Sequence, residues 1–86
     1  MKKLEKTFKA FANTSRLRIV QFLKKNKGSS VEKIAEATRC SYKATSKHLG
    51  ILFQADILDR EQVSYEMRYR INDTKDPSVA TILNLL

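Results

Sequence analysis

The chain has 86 residues, which is the length of a single domain, and we expect residues 1–86 to form one. Apolar residues make up 42% of the chain and charged residues 30%, a balance that excludes a disordered tail. The formal net charge of +8 predicts a polyanionic partner, whereas one Cys and one His exclude an intrachain disulfide or a four-ligand metal site within one chain.

The basic residues are concentrated in the first third of the chain. Residues 1–27 carry nine basic residues and one acidic residue. Charges interrupt the apolar residues near Met1, which excludes a secretory signal peptide, and no apolar stretch is long enough to span a bilayer. These features predict a cytoplasmic protein without a membrane partner.

Two amphipathic helices are predicted for this basic segment. Leu4, Phe8 and Phe11 recur at the i, i+4, i+7 spacing of one helix face. A second helix would begin at Asn13 or Thr14, because both side chains are suited to cap a helix. Its inward residues would be Leu17, Val20 and Leu23, flanked by Ile19 and Phe22.

A short third helix is predicted after Gly28, which occupies a position typical of a left-handed residue. Ser29 and Glu32 have the spacing of a capping box at its start. The residues expected to face the core share helical spacing, and they are Val31, Ile34, Ala35 and Thr38.

The fourth helix is predicted from the cap Ser41 to about Phe53. Its inward positions Thr45, Leu49 and Leu52 again follow i, i+4, i+7. The opposite face carries polar and basic side chains, namely Tyr42, Lys43, Ser46 and Lys47. A short helix, a turn and a helix with such an exposed face indicate a helix-turn-helix, whose second helix enters the major groove of DNA.

The periodicity then changes from helical to alternating. A short run begins at Ile57, and Tyr65, Met67, Tyr69 and Ile71 alternate with charged residues, which predicts a hairpin with a half-buried strand. A last helix would begin at Asp76 as cap with Pro77 in its first turn. Its apolar stripe consists of Val79, Ile82, Leu83 and Leu86. The predicted fold is therefore mainly α with a small β-hairpin, a winged helix-turn-helix.

The candidate DNA-binding residues lie mainly on the fourth helix. Ser41 would present the positive helix N-terminus to a phosphate. The side chains expected to reach base edges or flanking phosphates are Tyr42, Lys43, Ser46, Lys47 and His48. Arg16, Arg18 and Arg60 are further candidates, and the first two are expected to bind the DNA backbone.

Three segments of the chain resemble the ArsR family of small prokaryotic repressors. They are Phe-Lys-Ala-Phe-Ala-Asn-Thr-Ser-Arg-Leu-Arg-Ile-Val at residues 8–20, Ser-Lys-His-Leu at 46–49 and Tyr-Arg-Ile at 69–71. The second segment is similar to the family's recognition helix and the third to its closing wing strand. The resemblance extends over residues 4–71 and implies a transcriptional repressor that binds a two-fold operator in double-stranded DNA.

The resemblance also implies a homodimer joined through the first and last helices. A chain this short buries little of its surface alone, and its terminal helices carry apolar stripes, which agrees with a partner subunit. The residues expected at this seam are Leu4, Phe8, Val79, Ile82, Leu83 and Leu86.

The chain departs from the metal-sensing members of the family. Their Cys-x-Cys pair in the third helix is replaced by Val-Glu-Lys-Ile at residues 31–34, and their last-helix ligands by Ser-Val-Ala-Thr at 78–81. We therefore expect no metal and no cofactor, and the effector stays unknown. The family's usual Gly after the recognition helix is Asp56 here, and the wing tip at residues 61–67 holds no Lys or Arg.

Two other classes of function compete with a DNA-binding regulator. A winged helix can instead dock a protein on its exposed fourth helix, although residues 40–55 contain no acidic side chain. An enzyme would need an acid/base pair or a Gly-rich phosphate loop, and the sequence has neither. His48 is interpreted as a packing or phosphate-contacting residue, and Cys40 as a small hydrophobic residue.

Overall fold

The computed structural model describes residues 1–74 and 76–86 of the chain. Within them lie the five helices and the two hairpin strands in the predicted order, and one additional short strand makes three strands in all. The elements are α1 (Lys2–Phe11), α2 (Thr14–Lys25), β1 (Ser29–Ser30), α3 (Val31–Thr38), α4 (Tyr42–Gln54), β2 (Leu58–Val63), β3 (Glu66–Ile71) and α5 (Pro77–Leu85). The prediction of a mainly helical chain with one hairpin is confirmed.

Three predicted helix caps are present. The Asn13 side chain accepts a hydrogen bond from the Arg16 amide at 3.0 Å, which identifies Asn13 rather than Thr14 as the cap of α2. Ser41 Oγ accepts from the Ala44 amide at 3.1 Å at the start of α4. Asp76 accepts from the Ser78 amide at 3.0 Å, and Pro77 occupies the first turn of α5.

The predicted cap of α3 is wrong by one residue. Ser30, not Ser29, accepts the hydrogen bond from the Lys33 amide, at 3.2 Å. Ser29 lies instead in β1, where it pairs with Tyr69, and its hydroxyl donates to the Asn26 carbonyl at 3.1 Å. The pairing joins residues 40 positions apart in the chain, and such a contact leaves no local pattern in the sequence.

The sheet has the antiparallel order β1-β3-β2, with β3 in the middle. Along β3, Tyr69 is buried and Met67 and Ile71 are half-buried, while the residues between them are exposed. This alternation confirms the predicted half-buried strand. Tyr65 is an exception, because it lies in the turn between β2 and β3 and its side chain is 99% exposed.

Four residues of the described chain have a positive φ angle. Gly28 has φ 65°, as its position predicted. Asp56, where the family usually has Gly, has φ 60°, so the left-handed geometry is retained with a residue that adopts it at some cost. Arg39 at the end of α3 and Ser64 in the wing turn have φ 56° and 58°.

One hydrophobic core unites the helices and the sheet. The predicted inward residues of α3 and α4 are all buried, as are Val20 and Leu23 of α2. Leu17, predicted inward as well, is half-buried, whereas Ile19, predicted beside that face, is 0% exposed. In α1 the prediction is wrong for Phe8, which is 52% exposed, because Thr7 and Ala10 take the inward positions beside Phe11. In the described part of the chain, no helix combines the length and the apolar character that crossing a membrane requires.

Candidate nucleic-acid interface

Helix α4 is fixed in place by its inward face. Thr45, Leu49 and Leu52 are each 0% exposed and pack into the core. The helix contacts α2, α3 and β2, so it is held from several sides. Counted from Tyr42, residues i, i+1, i+4 and i+5 lie on the side of the helix opposite these three buried residues. This packing therefore determines which side chains project outward.

The outward face of α4 consists of the polar and basic residues expected from the sequence. Tyr42 is 63% exposed, and the three other members, Lys43, Ser46 and Lys47, are exposed as well. The structure thus brings these four predicted residues to one surface. Lys43 and Lys47 give this face its positive charge, and residues 40–55 contain no acidic side chain. Glu32 and Glu66 of neighbouring elements lie beside Tyr42 at one end of the face.

The N-terminus of α4 lies at one end of this outward face. Ser41 is exposed and its hydroxyl caps the first turn, while the first amides of any helix have no partner within the helix. The aligned peptide dipoles place a partial positive charge at this end. Backbone amides, Lys43 and Lys47 therefore offer hydrogen-bond donors on the same surface, as an anion would require.

Arg16 and His48, both half-buried, connect α4 to the preceding helices. The Arg16 side chain donates from Nε to the Ala10 carbonyl at 2.6 Å and from a terminal nitrogen to the Lys9 carbonyl at 3.1 Å. Its other terminal nitrogen lies 3.2 Å from Nδ1 of His48. Arg16 thereby joins the C-terminus of α1 to α4, a role that the sequence did not reveal.

The protonation of His48 follows from this environment. Burial lowers the pKa of the imidazole below its ordinary value of 6.5, and the positive charges of Arg16 and Lys47 lower this pKa further. At neutral pH the ring is therefore uncharged, and Nδ1 can accept a hydrogen bond from Arg16. His48 supports α4 in this arrangement, which agrees with the packing role considered for it.

The two other predicted arginines belong to elements other than α4. Arg18 is an exposed residue of α2. Arg60, in β2, places its guanidinium 3.9 Å from the centroid of the Phe53 ring, so part of its charge is directed to that aromatic face. On the neighbouring strand, Arg68 and Arg70 lie 3.7 and 3.9 Å from the carboxylates of Glu66 and Asp59.

The candidate dimer residues divide into two groups. Leu4, Ile82, Leu83 and Leu86 are only half-buried, and Phe8 is exposed, so all five are accessible at the surface of α1 and α5. Val79 is 1% exposed and belongs to the core of its own protomer, which makes its assignment to the seam wrong. Leu85, which the helical spacing did not single out, is 79% exposed on α5.

Metal-ligating side chains are dispersed over the described chain. Within residues 1–74 and 76–86, no group of three His, Cys, Asp or Glu side chains lies close enough together to hold a metal ion.

The thiol of Cys40 is half-buried and 3.6 Å from the Thr38 carbonyl, just before the start of α4.

Known structures share this arrangement. The homodimeric winged helix-turn-helix DNA-binding domain of Mb0332 from Mycobacterium bovis is 28% identical, with a TM-score of 0.84 over 98% of this chain and 74% of that one. The antimony-specific transcriptional repressor AntR is 33% identical, with a TM-score of 0.75 over 91% of this chain and 68% of that one. HlyU from Vibrio cholerae is 26% identical, with a TM-score of 0.81 over 96% and 86%.

The amino-acid sequence assigns the chain to a family independently of the fold. No curated protein matches the chain. The profile described as "Bacterial regulatory protein, arsR family" matches residues 13–60, from the cap of α2 through the helix-turn-helix to the first wing strand. This match covers more than half of the chain, and the resemblance noted in its sequence is confirmed. The chain belongs to the arsR family of bacterial regulatory proteins.

Proposed function

We propose that the protein is a transcriptional regulator that binds double-stranded DNA sequence-specifically, as a homodimer on a two-fold operator, and that represses transcription from it. Residues 1–86 act as one domain in this proposal, since a single core joins all five helices with β2 and β3. The protein needs neither a metal nor another cofactor for DNA binding and is not an enzyme. It acts in the cytoplasm, where bacterial DNA is.

The observation that carries the proposal is the orientation of α4. Its inward residues are completely buried, whereas its outward face is exposed, basic and free of acidic residues between positions 40 and 55. A helix held in this way can enter the major groove, which is about 12 Å wide and presents a distinct pattern of donors and acceptors for each base pair.

The division of labour along α4 follows from its geometry. A recognition helix brings its N-terminal half closest to the bases, so Tyr42, Lys43 and Ser46 are assigned to base edges. Ser41 and the first amides are assigned to a phosphate, and Lys47 to the flanking backbone. Arg18 and Arg60 are assigned to more distant phosphates. Arg16 and His48 hold α4 against α1 and contact DNA only at the edge of the interface.

The homodimer is supported by apolar surface on the terminal helices. Phe8 and Leu85 expose 52% and 79% of their surface, next to half-buried apolar residues of α1 and α5. A symmetric pairing of these helices would bury both, and the similar domain of Mb0332 is homodimeric. The proposed seam therefore consists of Leu4, Phe8, Ile82, Leu83, Leu85 and Leu86.

The proposal is tested by selecting bound duplexes from a random pool and measuring the affinity for the enriched duplex. We expect a two-fold sequence whose half-sites are about one helical turn apart, as a symmetric helix-turn-helix dimer requires. The logarithm of the binding constant should fall steeply with the logarithm of salt concentration. No enrichment, together with an affinity that hardly changes with salt, would instead indicate a winged helix that docks a protein.

A further inference from the structure

A groove separates α1 from the outward, C-terminal part of α4. It has a volume of about 680 Å³. Gly50 and Ile51 of α4, both half-buried, contribute apolar surface to it, whereas Ala10 of α1 also lines it but is only 1% exposed. Lys2, Lys6 and Lys47 contribute positive charges at its edge.

Gly50 widens this groove without any need arising from packing. It lies within α4, where Gly is less favourable than Ala, and its φ angle is not in the left-handed region. A Cβ atom built at Gly50 would meet no heavy atom within 4 Å. The absent side chain therefore leaves open space that the folded protomer does not fill.

The charge around the groove is nearly all of one sign. Glu5 contributes the one carboxylate of its lining, and this carboxylate lies 3.7 Å from Nζ of Lys9. Within the part of the chain that the structure describes, no ion pair involves Lys2, Lys6 or Lys47. Their ammonium groups are available to an anionic group at the rim.

The groove stays accessible when the terminal helices pair. Successive residues of a helix are rotated by about 100°, which places Lys2, Lys6 and Ala10 on one flank of α1 and Phe8 on the other. Phe8 does not contribute to the lining of the groove. A seam through Phe8 would therefore leave the groove on the free side of each protomer.

We propose that this groove binds a small amphipathic anion, a carboxylate that carries a hydrocarbon tail. The carboxylate would pair with Lys2, Lys6 and Lys47, and the tail would lie on Gly50 and Ile51. Because Lys47 belongs to the outward face of α4, an anion held there competes with a DNA phosphate for the same ammonium group. This coupling, unlike the binding itself, rests on the proposed function.

Decanoate serves as the probe for the site. The uniformly ¹⁵N-labelled protein is titrated with decanoate, and amide chemical shifts are followed. We expect saturable shifts that are largest at Ala10, Gly50 and Ile51. Decyltrimethylammonium, which has the same tail and the opposite charge, should leave these amides in place, and so should inorganic phosphate, which has no tail. Decanoate shifts confined to the terminal apolar seam would overturn the proposal. So would shifts at these amides that are equally large with decyltrimethylammonium or with phosphate.

Two variants locate the site. Gly50→Leu fills the groove with a residue that favours helix, and we expect it to abolish the saturable shifts at Ala10 and Ile51. Lys6→Glu should weaken decanoate binding on the order of tenfold, because it places a like charge beside the carboxylate. Gln21→Leu, on the exposed surface of α2 outside the groove, is the matched control and should bind decanoate as the unmodified protein does. An unchanged affinity in Gly50→Leu would refute the assignment.

The coupling is measured on the duplex enriched from the random pool. Decanoate should lower the affinity of the unmodified protein for this duplex and leave that of Gly50→Leu unchanged. If decanoate fills the groove without changing DNA affinity, the coupling is wrong although the site exists. If no duplex binds under any condition, the proposed function fails, and the chemical shifts of the free protein still decide whether the groove binds the anion.

Discussion

At the scale of single residues, Thr45 combines complete burial with an unused hydroxyl. Its side chain is 0% exposed, and within the described residues its Oγ1 has no hydrogen-bond partner. A buried polar group without a partner costs roughly 1–3 kcal/mol. Thr45→Val keeps the shape and removes the hydroxyl, so we expect the free energy of unfolding to rise by about 1 kcal/mol in urea titrations.

The same substitution leaves the outward face of α4 intact. The affinity of Thr45→Val for DNA should therefore be unchanged. Thr45→Ser is the matched comparison, because it keeps the hydroxyl and loses a methyl group, and it should be destabilised. Equal destabilisation of the Val and Ser variants would mean that the hydroxyl is satisfied in solution.

His48 makes the stability of the protein depend on pH. Burial, followed by Arg16 and Lys47, holds the pKa of its imidazole below 6.5 in the folded protein, whereas the unfolded chain titrates near 6.5. The unfolded chain therefore binds a proton first, and the free energy of unfolding falls as the pH decreases from about 7 through 6.5. The fall from this group ends once the pH is below the folded pKa.

The contribution of His48 is isolated by comparison with His48→Gln, which has no titrating group in this range. Unfolding in urea between about pH 5 and 8 should give a steeper pH dependence for the unmodified protein than for the variant. An NMR titration of the His48 ring should give a pKa below 6.5. Identical pH dependence of the two proteins would contradict the assigned environment.

Lys43 is assigned to base edges rather than to phosphates. Lys43→Ala should cost about 1–3 kcal/mol on the enriched duplex and flatten the preference at one or two positions in each half-site. Arg18→Ala is the comparison, because loss of a phosphate contact should weaken all duplexes alike and reduce the salt slope by about one. Anisotropy on enriched and scrambled duplexes measures both effects. Equal losses on the two duplexes for Lys43→Ala would make it a phosphate contact only.

At the scale of elements, the start of α5 depends on Asp76. Its carboxylate accepts from the amide of Ser78 at 3.0 Å and from the hydroxyl of Ser78 at 2.7 Å, and it lies 3.9 Å from Nζ of Lys3. The Ser78 hydrogen bonds are the main reason that the pKa of Asp76 lies below its ordinary value. Asp76→Ala should lower the free energy of unfolding, as loss of a helix cap does.

Urea unfolding at neutral pH measures this effect. Asp76→Asn keeps the cap and loses the charge, so it should retain most of the stability. Because the pKa of Asp76 is lowered in the folded protein, the contribution of its charge is complete above the unfolded pKa and is lost as the pH falls through the folded one. Equal stability of the Ala variant and the unmodified protein would mean that α5 does not need this cap.

The elements that the sequence predicts are those with a local cause. The caps Asn13, Ser41 and Asp76 predict where α2, α4 and α5 begin. Helical spacing predicts the buried face of α3, and the alternation along β3 predicts the wing. Strand β1 has two residues and exists only through its pairing with β3, so no alternating pattern in the sequence predicts it. That long-range pairing draws Ser29 into the sheet and moves the cap of α3 to Ser30.

The candidate interface is predictable to a similar degree. The outward face of α4 follows from counting residues along one helix, because Thr45, Leu49 and Leu52 are buried. The link between Arg16 and His48 joins two residues that are 32 positions apart in the chain, and the groove beside Gly50 depends on how α1 lies against α4. Neither can be inferred before the packing of the helices is known.

At the scale of the whole molecule, the terminal helices keep large apolar side chains exposed in a single protomer. Phe8 is exposed on α1 and Leu85 on α5, whereas Val79 already completes the protomer's own core. A salt bridge between Lys3 and Asp76, at 3.9 Å, and a hydrogen bond from Lys24 Nζ to the Leu83 carbonyl, at 2.6 Å, connect α5 to the rest of the fold. The exposed apolar residues therefore lie on helices that are held in place and can pair with a second copy.

Phe8→Glu tests this pairing without touching the core, since Phe8 is more than half exposed. The substitution places a charge at the seam, where a buried charge without a partner is costly. At about tens of micromolar, light scattering should therefore report a monomer for Phe8→Glu and a dimer for the unmodified protein. Loss of the second half-site should weaken binding to the two-fold duplex by about 10²-fold, because the linked sites no longer act together. Tyr65→Glu changes an aromatic residue that is 99% exposed in the wing turn, and this variant should remain a dimer. A Phe8→Glu protein that stays dimeric would show that the subunits pair through another surface.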